Sequence, residues 1–200
     1  MSRDFVDFVF STGANSFEPL LERLGFKRAA FPLQKKDLPN LKTVKSCSFK
    51  LVDPLKEKDF ENAIRKASRE FDYVLAFGGS IDLNKRLVRC KGLSVLVNPC
   101  DYNSVNVDVQ TITMAKENNV RFGLAFTQAL NQGPFKRALL LSKYNFLFSI
   151  LKRERFHPVI FSGASNPVEL RNPYDLAALL ETLGLSNDEA LAGVALEKVN

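Results

Sequence analysis

One histidine, three cysteines and a scatter of carboxylates limit the chemistry this 200-residue chain can perform alone. His157 precedes Pro158 at the start of an apolar run, the wrong end of a strand for a barrel active site. A Ser-His-acid triad or an imidazole-bound metal would have to use that residue, and no G-x-S-x-G turn is present. Asp53, Asp101 and Asp175 fall near strand ends, where carboxylates can hold Mg²⁺, but each also suits a turn or a helix cap. Cys47, Cys90 and Cys100 are odd in number and far apart, which fits free thiols in a reducing compartment better than a disulfide frame or a zinc cluster. Gly78-Gly79-Ser80 follows an apolar run, but neither G-x-G-x-x-G nor a Walker lysine motif accompanies it. The reading is therefore no catalytic residue, no metal site and no cofactor bound by this chain.

Cations are the more informative residues. Lysine and arginine outnumber aspartate and glutamate by 28 to 22, a net charge of +6 that suits a polyanion partner or simple solubility. Lys85, Arg86 and Arg89 lie close on the surface of a helix expected from Asp82 to Cys90, with Leu83, Leu87 and Cys90 turned inward. Arg137 opens a long helix beside Lys136, and Lys143 lies two turns on. Lys152, Arg153 and Arg155 crowd that helix's last turn, where cations satisfy the dipole; they read as a solvated helix end. From Pro158 to Ser186 a strand meets the small turn Ser162-Gly163-Ala164, then Asn166-Pro167, then Arg171. Asn172 caps the next helix, with Pro173 at its first position and Asp175 in its first turn. Two sets of backbone N–H groups with a guanidinium between them make a plausible anion site. A plain ion pair of Arg171 with Asp175 or Glu169 is an equal alternative.

The elements that must position these residues alternate. Strands are expected at 5–10, 26–31, 46–52, 72–77, 93–97, 120–126 and 159–161. Helices follow from Ser16 (stopped by Gly25), over 54–70, 82–90, about 103–118 and 134–153, and after Asn172. A final helix runs from Asn187 to Ala195. The helix after Asn172 carries Leu176, Leu179, Leu180 and Leu183 on one face, and Gly184 supplies a left-handed stop. Strand–helix alternation over seven repeats argues for parallel pairing, in a trimmed (β/α) barrel or an open doubly wound sheet. The chain reads as one domain over 1–200. Asp4 and Asp7 interrupt the first apolar run, and no stretch is long and apolar enough to span a bilayer, so a cytoplasmic, membrane-free protein is expected.

The stretch from Ser162 to Ser186 also resembles a known family. Ser162-Gly163-Ala164, Glu169, Arg171, Pro173-Tyr174-Asp175 and Gly184-Leu185-Ser186 are similar to the C-terminal signature of ribonuclease P protein component 3. The likeness is traceable from about Gly78 to Ala195. Arg137 heads an R-A-x-L-L segment, Asn84-Lys85-Arg86 matches a basic region, Asn98-Pro99 a strand end, and Asp108 an acidic helix residue. Gly123-Leu124-Ala125 stands where the family often has an acidic or polar residue.

The resemblance implies a TIM-like barrel related to the PHP metallohydrolases. It also implies a subunit of the ribonucleoprotein that removes 5′ leaders from precursor tRNA. On that reading the catalytic RNA holds the Mg²⁺ ions and this chain supplies cations, with Lys85, Arg86, Arg89, Arg137 and Arg171 as its RNA contacts. Replacing the first four with alanine should then spare the fold. Ribonuclease P RNA, precursor tRNA, protein component 2 (as a heterotetramer) and other protein subunits are the implied partners. Two other classes remain from the residues alone: a small β/α-barrel enzyme gripping a phosphorylated metabolite through Arg171, and a protein scaffold with basic faces.

Overall fold

Short runs such as Val95-Leu-Val97 and Val159-Ile-Phe161 bury both of their faces, as strands do when a parallel sheet is covered by helices. The computed structural model describes residues 3–196. Seven strands, β1 (Val6–Phe8), β2 (Arg28–Phe31), β3 (Lys45–Val52), β4 (Tyr73–Phe77), β5 (Val95–Val97), β6 (Arg121–Ala125) and β7 (Val159–Phe161), pair in chain order. Every pairing is parallel. The sheet curls until its two edges meet. Gly163 donates its N–H to the Phe8 carbonyl at 3.1 Å and Phe10 donates to Ala164 at 2.7 Å, so the rim closes without an eighth strand. The expected trimmed barrel is what forms.

Around it stand α1 (Glu18–Leu24), α2 (Phe60–Glu70), α3 (Ile81–Arg89), α4 (Val109–Glu117), α5 (Phe126–Leu130), α6 (Pro134–Arg153), α7 (Pro173–Thr182) and α8 (Asn187–Ala195). The core has two parts. Phe8, Phe49, Leu75, Val95, Val159 and Phe161 fill the barrel, while Val9, Phe31, Leu96, Phe122 and Ile160 face the helices. Alternation along each strand sends neighbours to opposite sides. Helix α8 packs on β7 and β1, over the seam. Its Gly193 makes that approach possible, since a Cβ there would lie 2.9 Å from the Pro158 carbonyl oxygen and from Leu180.

Three helix boundaries differ from the expectation, each for a local reason. Helix α4 begins at Val109 rather than at 103 or 104, because Asp101 accepts from the N–H groups of Asn103 and Ser104 and holds a turn there. Asp53 captures the Leu55 N–H in the same way and Asp59 caps α2, so that helix starts at Phe60 and not at 54. Ser16 turns its hydroxyl back to the Gly13 carbonyl, and α1 starts at Glu18 without a side-chain cap. One short helix, α5, is absent from the sequence reading. It leaves β6 at Phe126 because the Thr127 N–H reaches the Ser162 carbonyl across the rim. Among the described residues no helix is long and apolar enough to cross a membrane.

Candidate nucleic-acid interface

Inside the barrel, rings pack together among small and aliphatic side chains. Phe8 meets Phe49, Tyr73 and Phe161 edge-on at 5.5, 5.3 and 5.0 Å between centroids. Above it Phe10 lies 5.8 Å from Phe49, 6.2 Å from Phe77 and 5.8 Å from Phe161. Gly123 faces this packing, and a Cβ on it would stand 2.6 Å from Val95 Cγ1 and 3.1 Å from the Phe161 ring. A carboxylate does not fit at that position. At the rim, burial and the neighbouring Asp101 push the Cys100 thiol up to about 12, far from a thiolate nucleophile. Asp101 itself is spent on its own loop. Among the described residues no three His, Cys, Asp or Glu side chains are grouped to hold a metal ion. His157 sits 3.9 Å from Glu189 at the opposite end of the strands, and burial lowers its pKa.

The turn Ser162-Gly163-Ala164 is a closure device. Ser162 donates its N–H to Asp7 Oδ1 at 2.6 Å, and its hydroxyl makes a short hydrogen bond to Asp7 Oδ2. Both residues are fully buried. Gly163 takes a φ of +63°, and Ala164 donates its N–H back to the Ser162 hydroxyl. Burial drives the Asp7 carboxyl up to about 7, against the pull of its bonds to Ser162. Sequence reading treated Asp7 as a mark against a signal peptide and missed this role, because its partner lies 155 residues away.

Two of the amides expected to hold an anion are already engaged. Ser165 donates its N–H to Glu169 Oε2 at 2.7 Å, and Tyr174 donates to the capping Asn172 at 2.8 Å. Arg171 sends Nη1 to the carbonyls of Val168 and Leu170 and lies over the Phe126 ring at 5.4 Å. Its structural partners are thus carbonyls and a ring rather than Asp175 or Glu169. Pro173 is buried at the first position of α7, and Asp175 stands exposed in its first turn. The Gly79 N–H is likewise taken, by the buried Asn84 at 2.8 Å.

The four remaining candidate cations fall into two groups. Arg137 closes the carbonyl end of α5, donating to Ala129, Leu130 and Gln132, each at 2.9 Å. Lys85 reaches Asp108 at 2.7 Å, and Asp108 also accepts from Thr111 as the cap of α4. Burial alone would raise the Asp108 carboxyl; the Lys85 and Thr111 bonds outweigh it and bring it down to about 2. Both cations are built into the scaffold. Arg86 and Arg89, by contrast, open onto the surface between α3 and α2. Arg86 forks onto Glu61 Oε1 and stacks 4.7 Å from the Phe60 ring; Arg89 places Nε 3.3 Å from the Met114 sulfur. Sequence reading did not reach Arg65, Lys66 and Arg69 on the facing helix. Their signal was the R-K-x-x-R spacing that puts three cations on the exposed side of α2.

The parallel barrel is wrapped by helices, rings cluster inside it, and its cations lie on the outside. Comparisons with known proteins point the same way. The chain belongs to the RNase P subunit p30 family, whose model matches residues 8–198. It is 25% identical to ribonuclease P protein component 3 of Methanosarcina barkeri, across 96% of this chain and 84% of that one. The likeness to the Methanothermobacter thermautotrophicus component 3 is 24%, over 88% of this chain and 78% of the relative. Against the Methanosarcina acetivorans component 3 the match spans 55% of the relative's length. Among solved structures, a chain in an archaeal ribonuclease P with mature tRNA superposes with a TM-score of 0.80 at 21% identity, over 94% of this chain and 87% of that one. A prolidase matches at 0.62 with 11% identity, over 96% and 72%. Both likenesses are of fold.

Proposed function

We propose that this chain is a protein subunit of ribonuclease P, the ribonucleoprotein that removes the 5′ leader from precursor tRNA. The observation that carries the reading is the family match over residues 8–198. The ring-packed barrel supports a division of labour in which Mg²⁺ and the hydrolytic step belong to the catalytic RNA. The protein's contribution is electrostatic. Lysines and arginines on its surface displace counterions from RNA phosphates and lower the repulsion between RNA helices as they pack. Recognition of this kind follows backbone shape more than base edges. Assembly with protein component 2, two copies of each, and with further protein subunits belongs to the same proposal.

Reconstitution tests it. The purified chain, added with component 2 to the cognate catalytic RNA, should raise precursor-tRNA cleavage, most strongly at low Mg²⁺. Cleavage that is the same with and without the chain at every Mg²⁺ concentration would overturn the reading.

A further inference from the structure

We infer that the groove between α2 and α3 is the seat for RNA backbone phosphates. The inference rests on the ribonuclease P reading and adds which face of the barrel meets RNA. The groove is open, about 580 Å³, and is lined by Arg65, Arg86, Arg89 and Lys91 against Asp59 and Glu61. It continues along α2 past Lys66 and Arg69, sharing Asn62 and Arg65 with that second hollow. Six cations thus face two carboxylates, and those two are occupied: Glu61 holds Arg86, and Asp59 caps α2.

The cations are set out in a way that suits a polyanion. The side chains of Lys66, Arg69 and Lys91 are exposed and make no ion pair to a described residue. Arg65 is braced by Asn62 Oδ1 at 2.9 Å, Arg86 by Glu61 and the Phe60 ring, and Arg89 by the Met114 sulfur. Braced guanidiniums lose little rotamer freedom when they meet phosphate and can fork onto its oxygens. Arg65 and Arg69 are one turn apart, about 6 Å along the helix. A protein partner would need an apolar or aromatic anchor point at the centre of the contact. The groove offers instead Cys90, whose thiol is turned to the Arg86 carbonyl and pushed up to about 11 by burial. Its chemistry is that of a phosphate track.

The test uses the full chain assembled with component 2 and the cognate catalytic RNA, with affinity measured across a salt series. Each phosphate contact contributes roughly 0.7–0.9 to the slope of log affinity against log salt. The variant R65A/R69A/R89A/K91A should bind at least tenfold more weakly, with a slope shallower by about 3. R65K/R69K/R89K, which keeps the charge but loses the fork, should hold the parent slope with an affinity between those of the parent and the alanine variant, a split that misfolding could not explain. A control that removes equal charge elsewhere, K36A/K42A/K152A/R153A, should leave the slope near that of the parent. An unchanged slope in the groove variant, an equal loss in the control, or loss of component 2 binding with RNA affinity intact would each overturn the groove assignment. Failure of the unaltered chain to bind the RNA at all would instead sink the ribonuclease P reading beneath it.

Discussion

A single buried carboxyl shows how much depends on individual residues here. Asp7 is held near pH 7 by its burial, whereas the same group in the unfolded chain ionises near 3.8. Between those values the folded state keeps a proton that the unfolded chain has lost, so stability falls as pH rises from about 4 to 7 and is level above. His157 works in the opposite sense, because burial lowers its pKa and the unfolded chain takes up a proton first as pH falls. Comparison with Asp7→Asn isolates the carboxyl. The melting temperature of the parent, relative to the variant, should drop steadily from pH 4 to pH 7; a flat difference would show that Asp7 stays ionised. Gly184, with φ at +96° and nothing closer to a new Cβ than Asn145 at 4.0 Å, is needed for conformation and not for room. Gly184→Ala should cost about 1 kcal/mol in denaturant titration.

Among the elements, the shortest helix carries the most instructive case. Helix α5 ends with its carbonyls pointing at Arg137, whose three hydrogen bonds do the work that a glycine cap does elsewhere. Arg137→Ala should therefore destabilise the fold by roughly 1–3 kcal/mol, read by melting, and leave the salt slope of RNA binding unchanged. A stable variant with a shallower slope would return Arg137 to the RNA-contact group. Most element boundaries were legible beforehand. Helix α6 and helix α8 start and stop where Pro134, Ser186 and Glu189 say they should, the last two forming a reciprocal capping box. The misread starts of α2 and α4 share one cause. Asp53 and Asp101 bind nearby amides and compete with the helix, a contest that the residue pattern alone does not decide.

At the scale of the whole molecule, closing a barrel with seven strands leaves a seam, and the chain meets it with side chains and a helix. Asp7 and Ser162 bridge the gap, two backbone bonds join the rim, and α8 covers the outside. Closure brings rings from β1, β3, β4 and β7 to the axis, so the barrel interior is a packed core. A hollow of about 320 Å³ lined by Phe77, Gly79, Asn98 and Asp101 remains at the barrel mouth, while on the outer surface the α2–α3 groove concentrates charge.

The sequence by itself determined the strand–helix alternation, the number of strands, the family signature from Ser162 to Ser186 and the surplus of cations. These are properties of local pattern, and local pattern is set by side-chain type and spacing. Only the tertiary structure decided which cations are committed to the scaffold and which face outward. Arg137, Lys85 and Arg86 look alike as residues; carbonyl groups five to eight positions away, a cap on α4 and a glutamate on α2 make them different. The partner that defines a charged group's role, whether a nearby helix end or a side chain about 25 residues away, is placed only when the backbone has folded, so the role exists only in the folded chain.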